Sequence, residues 1–326
     1  MSTDTVIKPD FDATQKHFIF TQEHEDLRES MTDWVKKELY PHRMEWEKTK
    51  WPDSAIQRAG ELGYLGLCFP EEYGGQGGDY YYSLVRAEAL SYAGSGGLGM
   101  GFAVQTDMVL PPIEMLGTEE QKQTYLRPGI EGTRIGCLGI TEPGAGSDVA
   151  GIRTTAILDG DEYVINGSKT FITNGGSADM IVLAVKTDPK AGARGVSLLI
   201  VDLRDCPGYQ VTRVLDKVGI HGGDTAELAF TDVRVPVSAL LGPEEGKGFG
   251  QLMAQLRQER LTIAASGVAG MERAVDDTVA YTKSREAFGH SIFEFQNTAF
   301  ELAECKTIAR TGRIFYDHCV QSHLRG

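Results

Sequence analysis

Residues 139–148 read GITEPGAGSD and residues 167–176 read GSKTFITNGG, and the reading of these two stretches decides the architecture. The first is rich enough in glycine to bring backbone N–H groups close to a ligand, and Thr141 and Ser147 add hydroxyls. Taken alone, its glycine spacing fits a tight β-turn equally well. In the second, an aromatic and a hydroxyl residue two apart share one face of a strand. Phe171 and Thr173 could therefore stack on a flat ring and hydrogen-bond its edge, with ordinary core packing as the plainer alternative. Both stretches lie in a zone of short β-rich runs from about 137 to 245: Tyr163 to Ile165, Thr170 to Thr173, Met180 to Val185, Val196 to Val201 and Ala226 to Val235. Turn pairs Asp159-Gly160 and Asn166-Gly167 stand between them. The pattern predicts a compact antiparallel sheet domain.

Outward from that zone the period changes to helical. In residues 1–136, Thr118-Glu119-Glu120-Gln121 has capping-box form, and Tyr81, Val85, Ala89 and Tyr92 recur at helical spacing. After Gly250 the helical period returns. Leu252, Leu256, Glu259 and Ile263 fall on one face, and a second helix is expected from near Ile292 to the C-terminus. The fold class is thus α+β: an N-terminal helical domain (1–136), a central antiparallel β-domain (137–245) and a C-terminal helical domain (246–326).

Bulk properties exclude several functions. The 326 residues carry 32 basic and 46 acidic side chains, a net charge of −14, which argues against a nucleic-acid partner needing clustered Lys and Arg. No apolar run approaches the ~18 residues of a membrane span. The N-terminus, MSTDTVIKPDFD, resembles neither a secretory signal nor a transit peptide, so a soluble cytoplasmic protein is expected. The five cysteines form no CxxC pair, so neither a disulfide framework nor a metal site is expected.

One motif is a decoy. Gly94-Ser95-Gly96-Gly97-Leu98-Gly99 fits GxGxxG, with Glu114 about 20 residues on. The dinucleotide mechanism needs a strand before the glycines. A helical pattern precedes them here, and Pro111 and Pro112 would break any central strand leading to the acid. A loop between helices is expected instead.

Together, in this order and spacing, the two opening stretches resemble the acyl-CoA dehydrogenase family. The resemblance extends through Phe69 to Gly75 (FPEEYGG), Lys217-Val218-Gly219 with Asp224-Thr225, Asp232 to Pro236 (DVRVP), Gly246 to Phe249 (GKGF) and Arg285 to Gly289 (REAFG). Residues 217–236 and 258–261 look closest to the long-chain type and its bacterial relatives. The resemblance implies FAD between the β-domain and the C-terminal helices. Ile140, Thr141, Gly146 and Ser147 would line the flavin, and Phe171, Ile172 and Thr173 would lie beside its ring. Ser147 would also touch the acyl-CoA, Arg260 would face its CoA portion, and Arg285 and Gln296 would reach the FAD of a neighbouring subunit in a homotetramer or homodimer. The partners implied are an acyl-CoA substrate and an electron-transfer flavoprotein.

The implied reaction places its own demands. Desaturating a thioester needs a base for the C2 proton, an acceptor for the C3 hydride and donors to the carbonyl. A carboxylate on an apolar helix face is desolvated and its pKa rises towards a useful value. Glu259 has that position and also matches the base of the long-chain and isovaleryl types. Glu142, inside the flavin loop, ranks second, and a structural pairing of Glu259 with Arg257 or Arg260 is the alternative. Family members usually continue through further helices that this chain, ending at Gly326, does not show. Weakened FAD binding is therefore expected, with an acyl-CoA oxidase, a flavin monooxygenase or an inactive acyl-CoA-binding fragment as rivals.

Overall fold

The computed structural model describes residues 18–326. The N-terminal stretch read for targeting signals lies outside the described residues. The first described segments are α1 (Gln22–Trp34), α2 (Arg43–Thr49), α3 (Ser54–Glu61) and α4 (Tyr80–Ser91). Next, α5 (Gly96–Ala103) runs through a π turn at Val104–Val109 into α6 (Leu110–Leu116). The expected capping box then opens α7 (Glu119–Gln121): the Gln121 N–H donates to Thr118 Oγ1 at 3.2 Å, and the Thr118 N–H donates to Gln121 Oε1 at 2.9 Å. A second π turn at Lys122–Leu126 leads into α8 (Arg127–Ile130).

The glycines of the decoy behave partly as expected. Helix α4, not a strand, precedes them, and Gly94 turns the chain with φ of 70°. Ser95 then caps α5, so Gly96 to Gly99 open a helix rather than form a loop. A Cβ on Gly97 would lie 2.2 Å from the Gly223 nitrogen, so glycine here lets α5 press against the 220–223 loop.

Strands β1 (Gly136–Gly139), β2 (Thr155–Asp159), β3 (Glu162–Thr173), β4 (Met180–Lys186), β5 (Val196–Asp202), β6 (Tyr209–Val214) and β7 (Thr225–Pro236) form one sheet. Their order is β1-β4-β2-β3-β7-β6, with β5 also on β4. Most pairings are antiparallel, but β1 and the first residue of β2 join β4 in parallel. Strand β4 is buried throughout and divides by alternation. Met180, Val182 and Ala184 pack with the helical residues Val109, Leu110, Ile113 and Leu252, whereas Ile181, Leu183 and Val185 pack inside the sheet with Ile165, Phe230 and Val233. Asp159-Gly160 makes the expected β2–β3 hairpin. Asn166-Gly167 does not turn the chain. It sits in a register shift within the single long strand β3, where Gly167, at φ of 151°, lies against Thr154.

Two long helices follow: α9 (Gly248–Ser284) and α10 (Gln296–Arg325), joined by the hairpin β8 (Glu286–Ala287) and β9 (His290–Ser291). A 3-10 turn at Ile292–Glu294 occupies the first residues assigned to the second helix from sequence. Arg313 of α10 is buried and donates to Glu88 of α4 and Glu272 of α9, which ties the three helices together. The inward face of α9 is Leu252, Gln255, Glu259, Thr262 and Ala265. Ile263, expected on that face, is 41% exposed. The buried positions there are Thr262 and Ala265, on either side of Ile263 in sequence.

Candidate active site

Strand β3 and the glycine-rich loop are locked together residue by residue. The Thr170 N–H donates to the Thr141 carbonyl at 2.9 Å, and Thr141 Oγ1 donates to the Thr170 carbonyl. Lys169 Nζ donates to the Ile140 carbonyl at 3.0 Å and to Glu142 Oε1 at 2.8 Å. Glu142 also accepts from the N–H groups of Arg153 and Thr154 at 2.6 and 2.9 Å. Burial pushes the Glu142 carboxyl up, but the Lys169 ammonium and these donors outweigh it and hold the carboxyl below the usual range. Burial likewise pulls Lys169 down to about 8 against the pull of Glu142. An ionised carboxylate whose lone pairs serve three internal donors is a strut. Glu142 holds the shape of the loop and is poorly placed to take a substrate proton.

Beyond the strut, the loop is open. Glu142 and Ala145 exchange backbone hydrogen bonds across Pro143-Gly144, so the tight β-turn is real and sits inside the loop. Gly146 and Ser147 then lie exposed, and a Cβ on Gly146 would meet nothing within 4 Å. Ile140 is half-buried against the helical core.

Phe171 sits where β3 departs from regular alternation. Between Lys169↔Leu228 and Ile172↔Ala226, two residues of β3 oppose one of β7, a β-bulge. Phe171 takes up the bulge with φ of 60°, a left-handed conformation that is costly for a bulky residue. Its ring projects outward and is 69% exposed, while Thr173 is half-buried. The Ile172 side chain is buried inside the sheet with Leu228 and Ala226, so what it offers a ligand is its backbone. An outward aromatic beside a hydroxyl and an open glycine loop fits the flat ring and polar edge of a flavin.

Glu259 turns inward from α9 and is 9% exposed. No hydrogen bond or ion pair among the described residues involves its carboxyl, so the pairing with Arg257 or Arg260 does not form. Burial raises its pKa to about 7, Asp107 adds to the rise and Arg260 opposes it. A carboxyl with an uncommitted lone pair and half-ionised near neutral pH is suited to general-base work. Earlier on α9, Leu252 belongs to the same apolar cluster as Val104, with Met100, Met108, Phe249, Met253 and Ile140 partly buried against it.

Arg260 is exposed one residue beyond Glu259. Arg285 caps the C-terminal end of α9, and Gln296 begins α10 across the β8–β9 hairpin; both are exposed. At ~1.5 Å per residue, Arg285 stands about 50 Å along α9 from Leu252. Within one chain, therefore, these two residues do not join Thr141, Phe171 and Thr173. Sequence reading passed over Lys169, Asn174 and Asp107. Lys169 was detectable as a charge in step with the inward Tyr163 and Ile165 of β3. Asn174 is buried at φ of 62° and donates to the carbonyls of Gly101 and Gly136, holding α5 on β1. Asp107 lacks any signal, because its neighbours come from a different helix.

Three family models match the chain in succession: the N-terminal domain of acyl-CoA dehydrogenase over residues 21–133, the middle domain over 137–233 and the C-terminal domain over 246–326. The chain is 42% identical to the mitochondrial long-chain specific acyl-CoA dehydrogenase of Sus scrofa over 308 residues, which is 94% of this chain and 71% of that protein. Among solved structures it resembles acyl-CoA dehydrogenase from Geobacillus kaustophilus, with a TM-score of 0.91 and 46% identity over 95% of this chain and 82% of that one. It also matches a chain in a structure described as the electron transferring flavoprotein of Acidaminococcus fermentans, at a TM-score of 0.88 and 40% identity, covering 93% of this chain and 79% of that one. By three successive domains and by close relatives in both sequence and structure, the chain belongs to the acyl-CoA dehydrogenase family and is an enzyme of that class.

Proposed function

We propose that the protein carries out FAD-dependent α,β-dehydrogenation of a fatty acyl-CoA thioester to the trans-2-enoyl-CoA and passes the electrons to an electron-transfer flavoprotein. The observation that carries this reading is Glu259, a buried, uncommitted carboxyl raised to about 7. FAD, when bound, supplies the acceptor for the hydride leaving C3. Thr141, Gly146, Ser147, Phe171 and Thr173 would hold it, with Phe171 offering a ring to stack on and Thr173 a hydroxyl. The Ile172 backbone completes that wall.

The chain's own groups then do the proton work. Glu259 takes the C2 proton into a carboxyl that already sits in a low-dielectric site, so the neutral acid formed is not penalised by burial. Arg260, exposed next to it, is available to the CoA portion, and Ser147 to the same ligand. Glu142 and Lys169 keep the loop in shape and exchange no proton with substrate. Arg285 and Gln296 serve the flavin of a second copy in a homodimer or homotetramer, which accounts for their distance from the loop. The domain limits 1–136, 137–245 and 246–326 follow the same reading.

Anaerobic mixing of the flavin-loaded protein with acyl-CoA thioesters of graded length tests this. Loss of the visible flavin band with formation of enoyl-CoA is expected, and reoxidation by an electron-transfer flavoprotein should follow. Absence of bleaching with every thioester would overturn the reading. Stoichiometric peroxide on admitting air would replace the acceptor by oxygen.

A further inference from the structure

A second buried carboxylate lies in the π turn that packs on α9. Asp107 sits in the π turn between α5 and α6 and is 6% exposed. It pairs with Arg86 Nη2 of α4 at 2.8 Å, accepts from Thr106 Oγ1 at 2.9 Å and accepts from Ser83 Oγ. Arg86 is 2% exposed and also donates to Ser83 Oγ at 2.9 Å, so the cluster is held from two helices. Both helices pack on α9. Next to this contact, Tyr80 of α4 donates to the Gln258 carbonyl at 3.0 Å, one residue before Glu259.

We propose that Asp107, clamped by Arg86, Ser83 and Thr106, is a positioning residue that acts through Glu259 and sets how readily that carboxyl takes up and releases a proton. The proposal rests on the reading of Glu259 as the base. Two acidic groups in one dry region resist being ionised together, so the fixed charge of Asp107 biases Glu259 towards the protonated form. The other groups around α9 leave this effect in place. Arg86, paired with Asp107, offsets part of its charge, and Arg260 opposes from the exposed side of the same helix, yet Asp107 still raises Glu259. Tyr80 stays a neutral phenol because burial raises it, and Cys68, pushed up to about 11 by burial, stays a neutral thiol. From α10, His323 reaches Tyr80, at 5.7 Å between ring centroids. The π turn has a local consequence too: an extra residue in the turn re-aims its side chains, and such turns often occur at functional sites.

The test reads Glu259 itself. The full chain is labelled with 13C at the glutamate carboxyls, and the Glu259 resonance is assigned by its loss in Glu259→Gln. Its titration midpoint is then followed from pH 5 to 9 without any turnover. Asp107→Asn should lower that midpoint by about 1 pH unit, whereas Thr106→Val, which keeps the charge, should leave it in place. The pH profile of flavin reduction should move by the same amount. Should Asp107→Asn fail to fold, the double variant Arg86→Met/Asp107→Asn removes both charges together, a change that buried pairs often tolerate, and its midpoint should fall by less, because the opposing Arg86 charge is lost with it. An unchanged Glu259 midpoint in either folded variant overturns the proposal. Failure of the base assignment looks different: the midpoint would shift on Asp107→Asn while Glu259→Gln reduced flavin at the normal rate.

Discussion

Glu259→Gln is expected to stabilise the fold in a pH-dependent way while abolishing most of the chemistry. The side chain is nearly isosteric, so the change removes the titration and little packing. An ordinary glutamate ionises near 4.5, and burial moves Glu259 to about 7. At 1.36 kcal/mol per pH unit, that gap is worth about 3 kcal/mol. The sign follows from proton binding. Between pH 4.5 and 7 the folded protein holds a proton that the unfolded chain has released, so stability falls as pH rises through this window and levels off above it. The Gln variant lacks this loss. Urea titrations of both proteins at pH 5 and pH 8.5 should therefore differ: the stability gap between variant and wild type should widen towards about 3 kcal/mol at the higher pH. Rapid-mixing measurement of flavin reduction should meanwhile show a loss of about 10²–10⁴ in rate. A stability gap that is flat with pH would refute the buried, raised carboxyl, and normal flavin reduction would refute its role.

Three further outcomes follow from the site. Glu142→Gln leaves Lys169 as an unpaired buried cation and should cost about 3–5 kcal/mol in a urea titration, with the flavin-reduction rate of the folded protein changed far less than in Glu259→Gln. Phe171→Ala should change stability by less than about 0.5 kcal/mol, because the ring is exposed, and should speed FAD dissociation measured by fluorescence recovery. Gly97→Ala should destabilise by about 1–3 kcal/mol, since the added methyl meets the backbone of Gly223, and should leave the flavin spectrum unaltered.

Local physics alone determined a large part of this protein. The change from helical period to β-rich runs and back marks the three zones. The Thr118 capping box, the Asp159-Gly160 turn and the rejection of Gly94 to Gly99 as a nucleotide loop depend on neighbours in the chain, so they are legible in it. Glu259 was legible for the same reason: its face on α9 follows from the spacing of Leu252 and Leu256. What the tertiary structure decided involves partners distant in sequence. The bulge that throws Phe171 outward and turns Ile172 into the sheet depends on pairing with β7. Glu142 and Glu259 are both carboxylates in suggestive places, and only the long-range contacts separate them. Lys169, Arg153 and Thr154 converge on Glu142, whereas no donor among the described residues reaches Glu259 and the charge of Asp107 raises its pKa. A charge's neighbours fix its protonation, and for these two residues the neighbours are set by how strands and helices meet in space.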